Sequence, residues 1–437
     1  VIPQLEVVAA RAARLAPPPH AVASLAADLR RELGADRVST VESARRAASN
    51  DYAHLSPVLS AVLPAKAADV VVYPRSAEEL RAAVALAYEH AVPIVPRGKG
   101  TGNYGQAVPL AAGLVIDLSG MDSVLEMGEG WIRAEAGTSF VALEAAAKRV
   151  GQEVAMLPTT VGSTIGGFLA GGAGGMGSIE HGWLWEGFAL TLDVVTPMGP
   201  LTLHGAQCVP YLHAYGVNGI IAVATVRLAP LRSRTAVMAS YESFEAAVHT
   251  GQRLLERRPA PRLVSIDDPG LAALYPLPTE GRYSLRAAVD DSAVDDFRAA
   301  VEADGGRVDS VDPDGIGYLS TLAFNHVTLR ARKVRPDLCH LQVGGDVLVR
   351  DPDAVRSVLP GSLLHLDGFR HGFGGLLLSS FQDTRTLYDG IDQLREMGVF
   401  VVDPHTWMLG GQALPAIRET AVTNDPKGLL NPGKLPA

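Results

Sequence analysis

From residue 68 the chain sets short apolar runs against amphipathic stretches. "DVVVYP" predicts a strand closed by Pro74. Ser76 and Glu79 then stand as an S-x-x-E capping box. In "AEELRAAVALAYEHA", Leu80, Ala83, Val84 and Ala87 share one stripe at helical spacing, so a helix follows. "VPIVP" predicts the next strand and completes a β-α-β unit. "GLVIDL", "SVLEM" and "WIRAEAG" read as short strands, and "SFVALEAAAKRV" as a second amphipathic helix stopped by Gly151. "FALTLDVVTPMGPLTL" predicts a strand, a Pro-Met-Gly turn and a strand; "NGIIAVATVRLAP" predicts another strand running to Pro230. Residues 20–60 read as helices broken by polar residues. Past residue 233 the composition shifts to alternating helical and strand-like segments with many charges, predicting a separate domain. The mixture of parallel and antiparallel signals is α+β, not a plain doubly wound sheet.

Two glycine-dense loops interrupt this pattern. "PRGKGTGNYGQ", residues 96–106, holds four glycines in eleven residues. Gly100 to Gly105 fits G-x-G-x-x-G, but the fingerprint requires a helix to open from the loop. The next residues, "QAVPLAAGLVIDLSG", contain Pro109 and Gly113 and run into a strand, so a dinucleotide fingerprint is excluded; no Gly-Lys-Ser/Thr stands at P-loop spacing either. The second stretch, "LPTTVGSTIGGFLAGGAGGMGSIEHG", spans residues 157–182. Ile165, Phe168 and Leu169 are spaced to pack, which argues against a linker. Ser163 or Thr164 is expected to cap a short helix whose amides point outward, an arrangement that suits phosphate. Two such loops with few fixed cations, Arg97 and Lys99 in the first, suggest a ligand with a long anionic middle held by backbone N–H groups.

Composition narrows the class. The chain has 437 residues, enough for two domains, and a net charge of −9. No basic run stands out, so nucleic acid is not an expected partner. No apolar run is long enough for a transmembrane segment. The start lacks a signal-peptide layout and is not Met, so it is read as trimmed. Cys208 and Cys339 are far apart and form neither a disulfide framework nor a zinc ribbon; they are read as buried thiols in a reducing, cytoplasmic protein. A small-molecule substrate is expected, and a homo-oligomer is left open.

Three stretches together carry a resemblance. "VVVYPRSAEELRAAVALAYEHAVPIVPRGKGTGNYGQAV" resembles the start of the FAD-binding domain of the vanillyl-alcohol-oxidase-type, or PCMH-type, flavoproteins. "STIGGFLAGGAGGMGSIEHG" resembles the second flavin loop of that family. "NDPKGLLNPGK" resembles the tail of the branch with glycolate oxidase FAD subunits and D-lactate dehydrogenases. The resemblance implies a two-part FAD-binding domain at 1–232 (core 62–232), an inserted α/β substrate (cap) domain at 233–404, and a C-terminal return at 405–437. It implies that Pro96, Arg97, Gly98, Lys99, Gly100, Thr101, Gly102 and Asn103 wrap the pyrophosphate. Pro158, Gly162, Ser163, Thr164, Gly166 and Gly167 would line the flavin and its ribityl chain. Ala173, Gly174, Gly175 and Gly182 would admit the ring and pyrophosphate against backbone, Gly219 and Ile221 would approach the adenine side, and Asn431 would return to the ring.

Neither loop contains a Cys, and the first has no His, so FAD is expected to be non-covalent; His181 is the only His in the second. The hydroxy-acid branch also often carries an H-x-G-D-G-N-x-H cluster. Here "HLDGFRH", with His365, Asp367 and His371, departs from it: Phe369 replaces the Asn and the first His is out of step. No metal is assigned, and a site with imidazole and carboxylate ligands is the residual alternative. The resemblance implies FAD-dependent oxidation of an alcohol or 2-hydroxy acid by hydride transfer to flavin N5, with dioxygen or another acceptor reoxidising the flavin. The alternatives are an NADPH-dependent reductase on the same fold or a non-catalytic FAD-binding subunit. Catalytic candidates come from "STLAFNHVTLRARK": Asn325, His326 as general base, and Arg330 four residues on as a carboxylate anchor. His405 is a second candidate base, followed by Tyr283 and Tyr318. The bland alternative is a hydrogen-bonded structural His and a surface Arg.

Overall fold

The computed structural model describes residues 2–64, 66–279 and 281–436. They divide into two compact units. The first comprises Val1–Ala173, Trp183–Leu231 and His405–Ala437; the second comprises Gly174–Gly182 and Arg232–Pro404.

The first unit holds two sheets. One has the order β1-β2-β4-β3, with β1 Val38–Ser39, β2 Val70–Val72, β3 Ile94–Arg97 and β4 Leu114–Asp117. β2, β4 and β3 run parallel and β1 pairs antiparallel with β2. Val70 to Val72, Ile94 and Leu114 to Ile116 are fully buried, as strands packed on both faces should be. The crossover between β2 and β3 is helix Ala77–Glu89, and its buried stripe is Leu80, Ala83, Val84 and Ala87. Only half of the predicted capping box forms. Ser76 Oγ accepts from Glu79 N–H at 3.1 Å, whereas the Glu79 carboxylate accepts from Arg75 N–H, one residue early.

The second sheet of this unit is antiparallel: β5 Val124–Gly128, β6 Trp131–Glu135, β10 Ile220–Pro230, β8 Ala189–Thr196 and β9 Gly199–His204 lie in that order, and β7 Gln152–Val154 pairs with β10. β10 is the long central strand, buried along Ile220 to Ala224. The chain's end also returns here. Leu430 bridges the edge of β3 at Ile94, with Asn431 N–H donating to Ile94 O at 2.7 Å.

The second unit is built on one eight-stranded sheet. Its strands are β11 Arg234–Tyr241, β12 Leu263–Asp267, β13 Tyr283–Asp290, β14 Arg307–Asp312, β15 Leu338–Gly344, β16 Leu363–Phe369, β17 Gly372–Ser380 and β18 Phe400–Val402. Their order is β14-β11-β13-β12-β16-β17-β15-β18, and every pair is antiparallel. Because side chains alternate across a strand, the register sets Ser265, Asp267, Ser284, Arg286, His365 and Asp367 on one face, leaving Val264, Ile266, Leu285, Ala287, Leu364 and Leu366 on the other.

Residues 174–182, read from sequence as part of the FAD-binding segment, cluster with the second unit instead. Gly177 N–H donates to Arg262 O at 2.8 Å, and Arg370 N–H to Ser178 O at 3.2 Å. Glu180 takes a bidentate pair from Arg232 at 2.8 and 3.1 Å. Composition cannot reveal this, because the anchoring groups lie far off in sequence.

Candidate cofactor and catalytic sites

The first glycine loop leaves β3 at Arg97, and no helix opens from it. Gly100 and Gly105 take φ of 63° and 78°, which glycine adopts without strain. The loop is braced from outside: Tyr52 N–H donates to Gly102 O at 2.7 Å, and Arg97 Nη1 donates to Asn50 O at 2.5 Å. Its own amides are left over. Among the described residues, no hydrogen bond engages the backbone N–H groups of residues 99–103. Lys99 and Thr101 are exposed beside them. A run of free donors with one cation is the chemistry of an anion cradle.

The second loop meets the first. A Cβ on Gly98 would collide with Thr164 Oγ1, so the two backbones approach within the space that glycine leaves. Thr164 is the cap of helix Ile165–Gly171, its Oγ1 accepting from Gly167 N–H at 3.2 Å. Ser163 is not the cap; its hydroxyl is buried and, among the described residues, has no partner.

One expectation is overturned here. The first amides of that helix do not point outward for phosphate. Ile165 N–H donates to Thr138 O at 2.9 Å and Gly166 N–H to Ala136 O at 2.8 Å. The helix is pressed so closely on the chain beyond β6 that a Cβ on Gly166 would clash with Ala136. Those two amides are therefore spent inside the fold, while among the described residues no hydrogen bond engages the N–H groups of residues 159–162, so both loops keep free donors and the second also buttresses the first. Gly162 and Gly167 remain exposed, and Pro158 is half-buried.

The tail completes the arrangement. Asn431, at φ 41°, donates from Nδ2 to Gln106 O at 2.9 Å and to Tyr215 O at 2.7 Å, while its Oδ1 is buried with no partner among the described residues. Three residues on, Lys434 is fully buried and donates to Gly105 O at 2.6 Å and Val108 O at 3.0 Å. Burial pushes its ammonium down to about 7, against the opposing charge of Asp51. Sequence reasoning missed Lys434 as a site residue, since a lysine in a turn-rich tail reads as solvated. Gly219, at φ 153°, packs against Val194 as the chain enters β10, and Ile221 pairs with Val194 inside the sheet. Ala173 O accepts from Leu184 N–H at 2.9 Å. Gly174, Gly175 and Gly182 fall in the second unit.

The catalytic candidates fall in different units. His405 belongs to the first unit, buried, with Nδ1 2.8 Å from Ser56 Oγ, which itself caps helix Pro57–Val62. Asn325, His326 and Arg330 belong to the second. His326 opens helix His326–Ala331 with Arg330 one turn on, and Arg330 Nη2 donates to Thr321 Oγ1 at 2.8 Å. Burial, helped by Arg330, lowers the His326 pKa, so the imidazole is neutral at pH 7; its Nδ1 is buried with no partner among the described residues. Tyr318 is exposed and Tyr283 starts β13.

His365 and Asp367 lie in a buried array unseen from sequence. His365 Nδ1 is 2.5 Å from Asp267 Oδ1 and its Nε2 is 2.9 Å from Asp367 Oδ2; Arg286 Nη1 is 2.7 Å from Asp267 Oδ2. Burial opposes protonation of His365, but Asp367 and Asp267 outweigh it and hold the imidazolium up at about 9. His371 is exposed beyond β16, and among the described residues no group of three His, Cys, Asp or Glu side chains is placed to hold a metal. Both thiols are buried, and burial pushes Cys208 and Cys339 up to about 11 each, so neither is a ready nucleophile.

Against known families, residues 68–203 match the family described as FAD binding domain. The residues of the two loops and the tail fit an FAD cofactor: free amides, loops in contact with each other, and buried polar atoms on Ser163 and Asn431 without a partner among the described residues. The chain is 28% identical to glycolate oxidase subunit GlcD of Bacillus subtilis over 47% of each chain. It is 30% identical to D-lactate dehydrogenase of Archaeoglobus fulgidus over 41% of this chain and 43% of the relative. The chain spans about half the length of the curated relatives it matches. Among solved structures, alkyldihydroxyacetonephosphate synthase matches 93% of this chain and 84% of its own at a TM-score of 0.73 and 19% identity, which shows the shared fold. Among the described residues, no helix is long and apolar enough to cross a membrane.

Proposed function

We propose that the protein is an FAD-dependent oxidoreductase that oxidises an alcohol or 2-hydroxy acid, with FAD held non-covalently. The family match of residues 68–203 carries this reading, joined to relatives named as a glycolate oxidase subunit and D-lactate dehydrogenases. Bound FAD would supply the two-electron acceptor for the substrate's hydride, with dioxygen or another acceptor as the final oxidant.

The chain's residues do the rest. Amides of residues 99–103, with Arg97 and Lys99 nearby, hold the diphosphate, and Ser163 and Asn431 offer their unpartnered oxygens to the cofactor. Thr164 and the tail keep the cradle in shape. His326, neutral at pH 7, takes the hydroxyl proton as the carbon loses hydride. Arg330 keeps donors beyond its bond to Thr321 and anchors a substrate carboxylate. Non-covalent binding follows from the absence of Cys in either loop and of His in the first.

The test is spectroscopic. Purified protein is expected to be yellow and to release its colour on acid precipitation. Under anaerobic conditions, a panel of alcohols and 2-hydroxy acids is expected to bleach it. Bleaching by NADPH alone would make it a reductase, and no bleaching by any reagent would leave a flavin-holding subunit. Colour retained in the acid pellet would overturn the non-covalent attachment.

A further inference from the structure

The four-charge array under the second unit's sheet lies outside the proposed chemistry. Arg286, Asp267 and His365 are fully buried, and Asp367 is 2% exposed. They sit on three neighbouring strands in two adjacent cross-strand rows on one face, Arg286–Ser265–Asp367 and Ser284–Asp267–His365, two cations against two anions. Such an array is a poor way to gain stability, because apolar residues of similar volume would serve as well or better. Its directional bonds offer another reason. Two of them leave the sheet for the same short loop: Arg286 Nη2 donates to Leu322 O at 2.9 Å, and Asp367 Oδ2 accepts from Phe324 N–H at 2.9 Å. Asp367 is itself fixed by Ser265 Oγ, which donates to Oδ1 at 2.7 Å.

The held loop is unusual. Phe324 has φ of 50°, a left-handed conformation that costs a bulky residue energy and persists only where its surroundings impose it. Its ring packs edge-on against Phe369, 5.9 Å away. The next two residues are Asn325 and His326. We propose that the Arg286–Asp267–His365–Asp367 array is a positioning device that clamps the loop at Leu322 and Phe324, and thereby sets where Asn325 and His326 stand. The role of His326 in this inference rests on the functional reading above; the clamp itself does not.

Two variants test it, with two readouts. R286K keeps a cation beside Asp267 but loses the second nitrogen that reaches Leu322 O. D367N keeps the volume but has one oxygen where Asp367 uses two. In either, amide hydrogen exchange over residues 323–326 is expected to rise about tenfold or more while the β12 and β13 amides stay protected. Turnover is expected to fall with bound FAD retained, and adding R286K to H326Q is expected to cause no further loss, since coupled residues are non-additive. Unchanged exchange over 323–326 in both variants overturns the clamp. Faster exchange with losses that multiply in the double variant overturns the route through His326. Faster exchange with full activity in both R286K and H326Q leaves the clamp standing and refutes the base assignment instead.

Discussion

Gly98 shows how much a single missing side chain decides. Two loops far apart in sequence meet there, and the space occupied by Thr164 Oγ1 is the space a methyl group would need. G98A is therefore expected to weaken FAD binding more than about tenfold, read by quenching of added FAD fluorescence, because the loop must shift to relieve the clash. G98A combined with T164G is expected to recover much of that affinity; if G98A alone binds FAD as the parent does, the loops are not in this contact. Lys434 and His365 carry the opposite lesson. Lys434 drew no site role from sequence and His365 only a residual metal role, yet both are fully buried with shifted protonation because of burial and partners that no local pattern names. His326 stood out in sequence as a histidine in an apolar run, and the structure adds that burial lowers its pKa.

Elements followed their patterns more faithfully than their ends did. The helix Ala77–Glu89, the strands around it and β8 to β10 sit where periodicity put them, because each pattern matches one buried face. What the pattern could not give was the use of spare backbone groups. The short helix Ile165–Gly171 was expected to offer its amides to a ligand, yet Thr138 O and Ala136 O take them. Its cap remains a stability element: T164A is expected to cost about 1 kcal/mol in chemical denaturation, the usual loss of a threonine cap, and T164S to recover most of it. An undiminished midpoint in T164A would show that the cap bond to Gly167 contributes nothing.

At the scale of the whole chain, two buried bases give its stability opposite pH responses. His365, faced by Asp367, Asp267 and Arg286, has its pKa raised from near 6.5 to about 9. Its contribution is fully present below pH 6.5 and is lost as pH rises through about 9. Lys434, faced by Asp51 and two carbonyls, is lowered from 10.5 to about 7. The folded state then binds fewer protons than the unfolded chain, so this contribution improves from pH 7 up to about 10.5. Urea midpoints measured across this range are expected to show the parent's advantage over H365Q shrinking with pH, and its standing against K434M rising. Parallel curves for either pair would mean that the corresponding base is not perturbed.

The sequence by itself determined the elements, the α+β class, both glycine loops and the likeness to FAD binding domains, because periodicity, turn residues and motif spacing are local and survive in one dimension. Tertiary structure alone decided which amides of each loop stay free, that residues 174–182 pack with the second unit, and that His365 is locked between Asp267 and Asp367 while His405 bonds the serine of a helix cap. Those outcomes depend on which distant backbone and side-chain groups reach a given atom first, and a hydrogen-bonding group spent on a neighbour is no longer available to a ligand.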